Sequence, residues 1–192
     1  MSTCLGEEVC CPLADPGLLA SLLVPTQKKK YDIGLIPHYV DAREECFQEM
    51  KNHYPNSILI NVQDDPISVI ETIGQCKSVL STNLHGLILA DSFGIPNHWC
   101  VCSDRILGKG YKFRDYYSSY GLDAEAYDLN GTSFPSLQKI RSDYSVPYRS
   151  VCKKQYQLLR CLPYARVSSL KALYFYLRST YRGLLIPIKS IL

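Results

Sequence analysis

Among the four histidines of this sequence, His85 is the one whose neighbours best prepare it to move a proton. Ser78 to Leu80 reads as a short apolar strand, and Ser81, Thr82 and Asn83 as turn and capping residues. From His85, the positions Leu87, Ile88 and Ala90 and the run Asp91 to Phe93 carry a short helix that Gly94 and Pro96 stop. In an open parallel sheet such a strand–turn–helix places its turn at the carboxyl end of a strand, where ligands bind. Backbone N–H groups at a helix start favour anions. Histidine is the side chain whose ordinary pKa is nearest neutrality, which suits proton transfer. Gly86 lets other backbone or a ligand approach closely. The same position is also what a hydrogen-bonded capping histidine would occupy in a protein with no chemistry at this turn.

Two other stretches carry groups of the same kind. Pro37-His38-Tyr39 follows the apolar strand Tyr31 to Ile36, so His38 falls at the same sheet edge. It either binds an anion or orients a sugar there, or is a partly buried, hydrogen-bonded ring. In Ser103 to Gly121, the cations Arg105, Lys109, Lys112 and Arg114 alternate with Tyr111, Phe113, Tyr116, Tyr117 and Tyr120. This segment is either a solvated loop with its aromatics on the sheet edge, or an anion- and sugar-binding segment. In the second case fixed cations meet phosphate or carboxylate and aromatic faces meet sugar rings.

The elements that must position these residues alternate in type. Asp15-Pro16 starts a helix in the Pro12 to Val24 segment, Asp as cap and Pro at its first position. A helix spans Asp41 to Tyr54 with Ala42, Cys46, Phe47 and Met50 on one side. Ser57 to Val62 is a strand, and Asp65-Pro66 starts a helix whose Ile67, Val69, Ile70 and Ile73 face the sheet. His98 to Cys102 is the fourth strand. Glu125 to Ser145 looks irregular apart from a helical piece at 137–140, and Val151 to Leu162 is a helix. Apolar strands alternating with helices predict an α/β, Rossmann-like parallel sheet with helices on both faces over residues 1–164. In residues 165–192, Leu170, Tyr174, Leu177 and Tyr181 recur at helical spacing beside Lys171, Arg178 and Arg182. That is a basic amphipathic helix, to pack on the domain or to lie peripherally on an acidic membrane surface.

Composition narrows the classes. With 192 residues, 46% hydrophobic and 20% charged, the chain is globular. A net charge of +3 is too mild to argue for nucleic acid. No apolar run approaches a membrane span, and Met1 to Glu8 has acids and no apolar centre, unlike a secretory leader. The nine cysteines include no Cys-x-x-Cys pair, so they read as reduced thiols of a cytoplasmic protein, with no metal site expected. No Gly-x-Gly-x-x-Gly phosphate loop occurs, which weakens a dinucleotide enzyme.

The run Leu84-His85-Gly86-Leu87-Ile88-Leu89-Ala90-Asp91-Ser92-Phe93-Gly94-Ile95-Pro96 resembles the signature of the polysaccharide pyruvyl transferase family. Four further places agree in order. They are Asp15-Pro16-Gly17-Leu18-Leu19 (with Ala14 where the family has glycine), Pro37-His38-Tyr39, Lys112-Phe113-Arg114-Asp115-Tyr116-Tyr117, and Leu158-Leu159 to Pro163-Tyr164. The resemblance covers roughly residues 13–164. It implies the C-terminal domain of a GT-B-like twin-domain transferase, the chain beginning where the family's second half begins. It also implies transfer of pyruvate from phosphoenolpyruvate, as donor substrate and with no cofactor, to a sugar hydroxyl pair as a ketal. The implied setting is exopolysaccharide or cell-wall polysaccharide synthesis, in the cytoplasm at the inner face of the membrane. His85 is then the catalytic acid–base. His38, Ser81, Thr82, Asn83, Leu84, Gly86, Arg105, Lys112 and Arg114 are the substrate-binding candidates. Asn83 stands where many members carry arginine, so what that cation would do for the anion must come from Lys112, Arg114, Arg105 or the backbone. The acceptor would be a saccharide or lipid-linked oligosaccharide, with an N-terminal-domain partner chain or a second copy completing the cleft. Two alternatives share this architecture: a glycosyltransferase-like domain binding a nucleotide sugar, and a non-catalytic remnant.

Overall fold

The computed structural model describes residues 2–4, 7–9, 13–103, 108, 110–130 and 133–161. Two short strands, β1 (Ser2–Cys4) and β2 (Glu7–Val9), form an antiparallel pair of their own. The main sheet holds β3 (Ile33–Ile36), β4 (Ser57–Leu59), β5 (Val79–Ser81), β6 (Asn97–Val101) and β7 (Tyr127–Asp128) in the order β4-β3-β5-β6-β7. Every neighbouring pair in it is parallel. The expected Rossmann-like α/β sheet is therefore present, with a fifth strand in the stretch that reads as irregular. The chain leaves β3 toward β4, then returns past β3 to lay down β5. That reversal puts a topological switch point between β3 and β5, the place where such sheets hold ligands beyond their carboxyl ends.

Alternation along the strands divides the core into two layers. Ile33, Leu35, Leu80 and Cys100 pack against α1 (Glu45–His53) and α5 (Leu137–Asp143) through Phe47, Met50, Tyr54 and Ile140. Ile36, Ile60 and Val79 point the other way, onto α2 (Pro66–Gly74) and α3 (Leu84–Ser92) through Val69, Ile73 and Ala90. Beyond them Leu18, Leu87, Ile88 and Trp99 join α4 (Tyr111–Ser118) and α6 (Tyr148–Cys161) through Phe113, Tyr116, Tyr117 and Val151. Buried Gln155 of α6 ties this layer together, its amide donating to the Leu18 and Ser92 carbonyls at 2.7 and 3.3 Å.

Several expectations need correction. Asp15 caps a helix as its sequence suggests, accepting from Gly17 N at 2.7 Å, but Pro16–Leu22 winds as a 3-10 helix. The Asp41 to Tyr54 helix begins only at Glu45, because Asp41 is drawn into a turn with His38 and a long-range bond described below. Asp65 caps α2 by accepting from Ser68 N at 2.9 Å. Ile67, however, is 45% exposed at the first turn and does not reach the sheet. Ser103 to Gly121 is not a loop throughout: Gly110, at φ 77°, enters α4, whose Phe113, Tyr116 and Tyr117 are buried in the core. The proposed C-terminal amphipathic helix, and Pro163-Tyr164 of the resemblance, lie outside the described residues. The six cysteines whose side chains are described are all free thiols. Burial pushes the Cys76 thiol up to about 12. Hydrogen bonding with Cys102, then burial, raises that of Cys46, so neither is a ready thiolate.

Candidate functional site

The switch point is built by two loops that hold each other. In the parallel register Ile36 lies beside Ser81, so the chain leaves β3 and β5 at the same level. Thr82 N donates to the Ile36 carbonyl at 3.2 Å, and Thr82 Oγ1 accepts from His38 N at 2.8 Å. The Ser81 hydroxyl lies 2.9 Å from the Ile36 carbonyl and 2.8 Å from the Asn83 carbonyl, and accepts from Asn83 N at 2.9 Å. Ser81 and Thr82 are both fully buried. They are therefore the framework of the turn, not groups offered to solvent. Thr82→Val keeps the shape but strands the His38 N–H, an unsatisfied donor that costs about 1–3 kcal/mol. Urea unfolding of this variant is expected to show that loss, together with a raised KM for any ligand held at this edge. An unchanged midpoint would show that the two loops stand independently.

Asn83 caps α3, its side-chain oxygen accepting from Gly86 N at 3.3 Å. This leaves the N–H groups of Leu84 and His85 at the helix start pointing along its axis toward the edge. His85 is exposed on this first turn, where a bound ligand could meet its ring. Gly86 is needed for contact within the protein itself. A Cβ there would lie 2.7 Å from Ser81 Oγ and 2.9 Å from Ile36 Cγ2. What approaches Gly86 closely is the turn framework, which lets α3 start directly over β3 and β5. His38 is half-buried: its ring lies 4.5 Å from that of Tyr39, and its Nδ1 accepts from Val40 N at 3.4 Å.

The same edge holds a residue the sequence does not announce. Asp41, in the loop after β3, is fully buried; its Oδ1 accepts from Ser103 Oγ, beyond β6, at 2.6 Å, while Oδ2 has no partner among the described residues. The bond spans 62 residues of chain, so no local pattern could reveal it. It closes the β3 loop over the end of β5.

The cations are arranged less simply. Lys112 and Arg114 both lie on α4, which follows β6 as α3 follows β5, and both are exposed. Arg114 lines a cleft with Trp99, Ser103 and Glu125, a lining that includes neither histidine of the switch point. Arg105 lies outside the described residues. Among the described residues, no cluster of three or more His, Cys, Asp or Glu is placed to hold a metal ion. Nor is any helix among them long and apolar enough to cross a membrane.

Fold and edge together define a Rossmann-like α/β unit with two interlocked loops at its switch point. Residues 15–104 match the family model described as polysaccharide pyruvyl transferase. The matched segment contains His38 and the whole Ser81 to Gly86 turn, and it ends before Arg105, Lys112 and Arg114. An uncharacterized protein of Acanthamoeba polyphaga mimivirus is 32% identical over 121 residues, which cover 60% of this chain and 42% of that protein. The chain thus spans well under half of that relative's length. No solved structure matches.

Proposed function

We propose that this chain carries the acid–base and donor-binding part of a polysaccharide pyruvyl transferase, which moves the pyruvyl group of phosphoenolpyruvate onto a pair of saccharide hydroxyls. One observation carries the reading: within the family segment, His85 stands exposed on the first turn of α3, at the switch point, over a turn locked to the His38 loop. Phosphoenolpyruvate is a polyanion at neutral pH, and the free N–H groups of a helix start suit one of its anionic ends. Lys112 and Arg114, on the next helix along the edge, are proposed to supply fixed positive charge, with Arg105 as a third candidate.

The chemistry then balances as follows. His85 delivers a proton to the methylene carbon, which becomes the methyl group, and C2 becomes an oxocarbenium-like centre. A first saccharide hydroxyl bonds to C2 and gives its proton back to His85. The C2–O bond to phosphate breaks, a second hydroxyl closes the ketal, and its proton leaves with the phosphate. A twin-domain cleft, completed by a partner domain or a second chain, would exclude water and orient the hydroxyls. The proposed setting is the synthesis of an exopolysaccharide or cell-wall polymer on the cytoplasmic side of the membrane.

The test combines calorimetric titration of the protein with phosphoenolpyruvate and an assay for phosphate release with a galactoside or glucoside acceptor. Binding is expected, and Lys112→Ala should weaken it by on the order of 1–3 kcal/mol, as for a charge-assisted hydrogen bond. Absence of any phosphoenolpyruvate binding would sink the reading.

A further inference from the structure

The outward face of α6 carries charge of one sign. Val151, Cys152, Gln155 and Leu159 turn inward and are buried, while Arg149, Lys153 and Arg160 are exposed. With half-buried Tyr156 these cations fall at i, i+4, i+7 and i+11, one stripe along the helix. The Arg160 guanidinium lies 5.9 Å from the centre of the Tyr156 ring. None of the three cations is in an ion pair among the described residues. Lys154 turns aside: its Nζ donates to the Leu13 carbonyl at 2.5 Å and sits 4.8 Å over the Tyr120 ring. That bond holds Leu13, which is 81% exposed, at the flank of α6.

The stripe belongs to a longer imbalance of charge. All 18 Asp and Glu lie at or before Asp143, and nine of the 21 Lys and Arg lie after it. Residues 1–143, with twelve cations, thus carry a net charge of −6, and residues 144–192 one of +9. A chain so divided is drawn to an anionic surface by one side and pushed off by the other, which fixes its orientation there. Residues 162–192, outside the described residues, hold five of the nine cations, with never more than six residues between one and the next. The intervening residues are mostly apolar, as in Ala172 to Leu177 and Leu184 to Ile186. A membrane span needs about 20 apolar residues in a row, so this composition fits the surface of a bilayer and not its core. On nucleic acid the phosphates would satisfy the cations but leave those apolar side chains in water. A bilayer interface takes both: anionic headgroups meet the cations, and the zone beneath takes the apolar residues and the aliphatic stems of Lys and Arg. We propose that the outward face of α6 docks the chain on an anionic lipid bilayer. Docking of this kind is independent of whether the chain transfers pyruvate.

The full chain is sedimented with vesicles of phosphatidylcholine alone and of phosphatidylcholine mixed with phosphatidylglycerol. Binding to the anionic vesicles is expected, with little to the neutral ones, and rising salt should release the chain as the charges are screened. The triple variant Arg149→Gln, Lys153→Gln and Arg160→Gln, changed only at exposed positions, should bind the anionic vesicles at least about tenfold more weakly, with an unaltered urea midpoint. Absence of binding to anionic vesicles, equal binding to both kinds, or parental affinity in the triple variant would each overturn the docking face. So would retention by a duplex oligonucleotide in place of the anionic vesicles, which would make the surface a nucleic-acid one.

Discussion

His85→Ala is expected to lower the turnover number for pyruvyl transfer by about 10²–10⁴, the usual worth of a positioned general acid–base group. The structure explains why this should be a clean experiment. His85 is exposed on the first turn of α3, whose cap is Asn83 and whose packing is carried by Leu87, Ile88 and Ala90. Removing the imidazole therefore takes away no buried contact, and alanine is the better helix former. The circular dichroism spectrum and urea midpoint should stay with the parent. Affinity for phosphoenolpyruvate should change less than turnover, because the proposed anion contacts come from backbone N–H groups and the α4 cations. Near-parental turnover in the folded variant would remove His85 from the mechanism.

What was legible in the sequence follows from how local each signal is. The strand–turn–helix around His85 is read to within a residue, since the apolar run, the Asn83 cap and the Gly94–Pro96 stop all lie inside it. Asp65 with Pro66 is equally local. The helix α4 was hidden because its cations were read as the signal and its aromatics as loop. Phe113, Tyr116 and Tyr117 are spaced three and four apart, the period of a buried helical face, and the left-handed Gly110 marks its start. The strand β7 is two residues long and exists by pairing with β6, which no window on the sequence can see. The late start of α1 has the same origin, Asp41 being held by Ser103 across the sheet. At the site, the types and order of Ser81, Thr82 and Asn83 were legible. Their division of labour was not: two are buried framework and one is a cap. Burial is set by the partner loop, and hence by topology.

At the far end of α3 from His85, the carboxylate of Asp91 should make the fold more stable in mild acid than in base. Asp91 is fully buried and gathers three donors from three other parts of the chain. Its Oδ1 accepts from Asn97 Nδ2 at 2.6 Å and from Tyr144 OH at 2.9 Å, and its Oδ2 from Tyr116 OH at 2.8 Å. Burial pushes its pKa up to about 6, the three hydrogen bonds pulling it back only in part. Because the folded value lies above the ordinary carboxylate value, the proton stabilises the fold. That contribution is complete below about pH 4 and is lost as pH rises through 6. The difference of about two units amounts to roughly 3 kcal/mol in full, and to roughly 1–2 kcal/mol between pH 5 and 8. Urea unfolding at those two pH values should therefore show a higher midpoint at pH 5. Asp91→Asn should flatten the dependence, because the amide keeps one acceptor for Asn97 and Tyr144 and can donate to the Tyr116 oxygen. Asp91→Ala should cost about 3–5 kcal/mol at either pH, since it strands buried donors on β6, on α4 and on the segment before α6. If Asp91→Asn were as damaging as Asp91→Ala and the parent's midpoint did not move with pH, the residue would be ionised and indispensable as an anion. The consequence reaches the site as well. Tyr116 is the pin that holds α4 to α3, and α4 carries Lys112 and Arg114, the proposed anion cations. Loosening that pin should therefore weaken phosphoenolpyruvate binding before it unfolds the sheet.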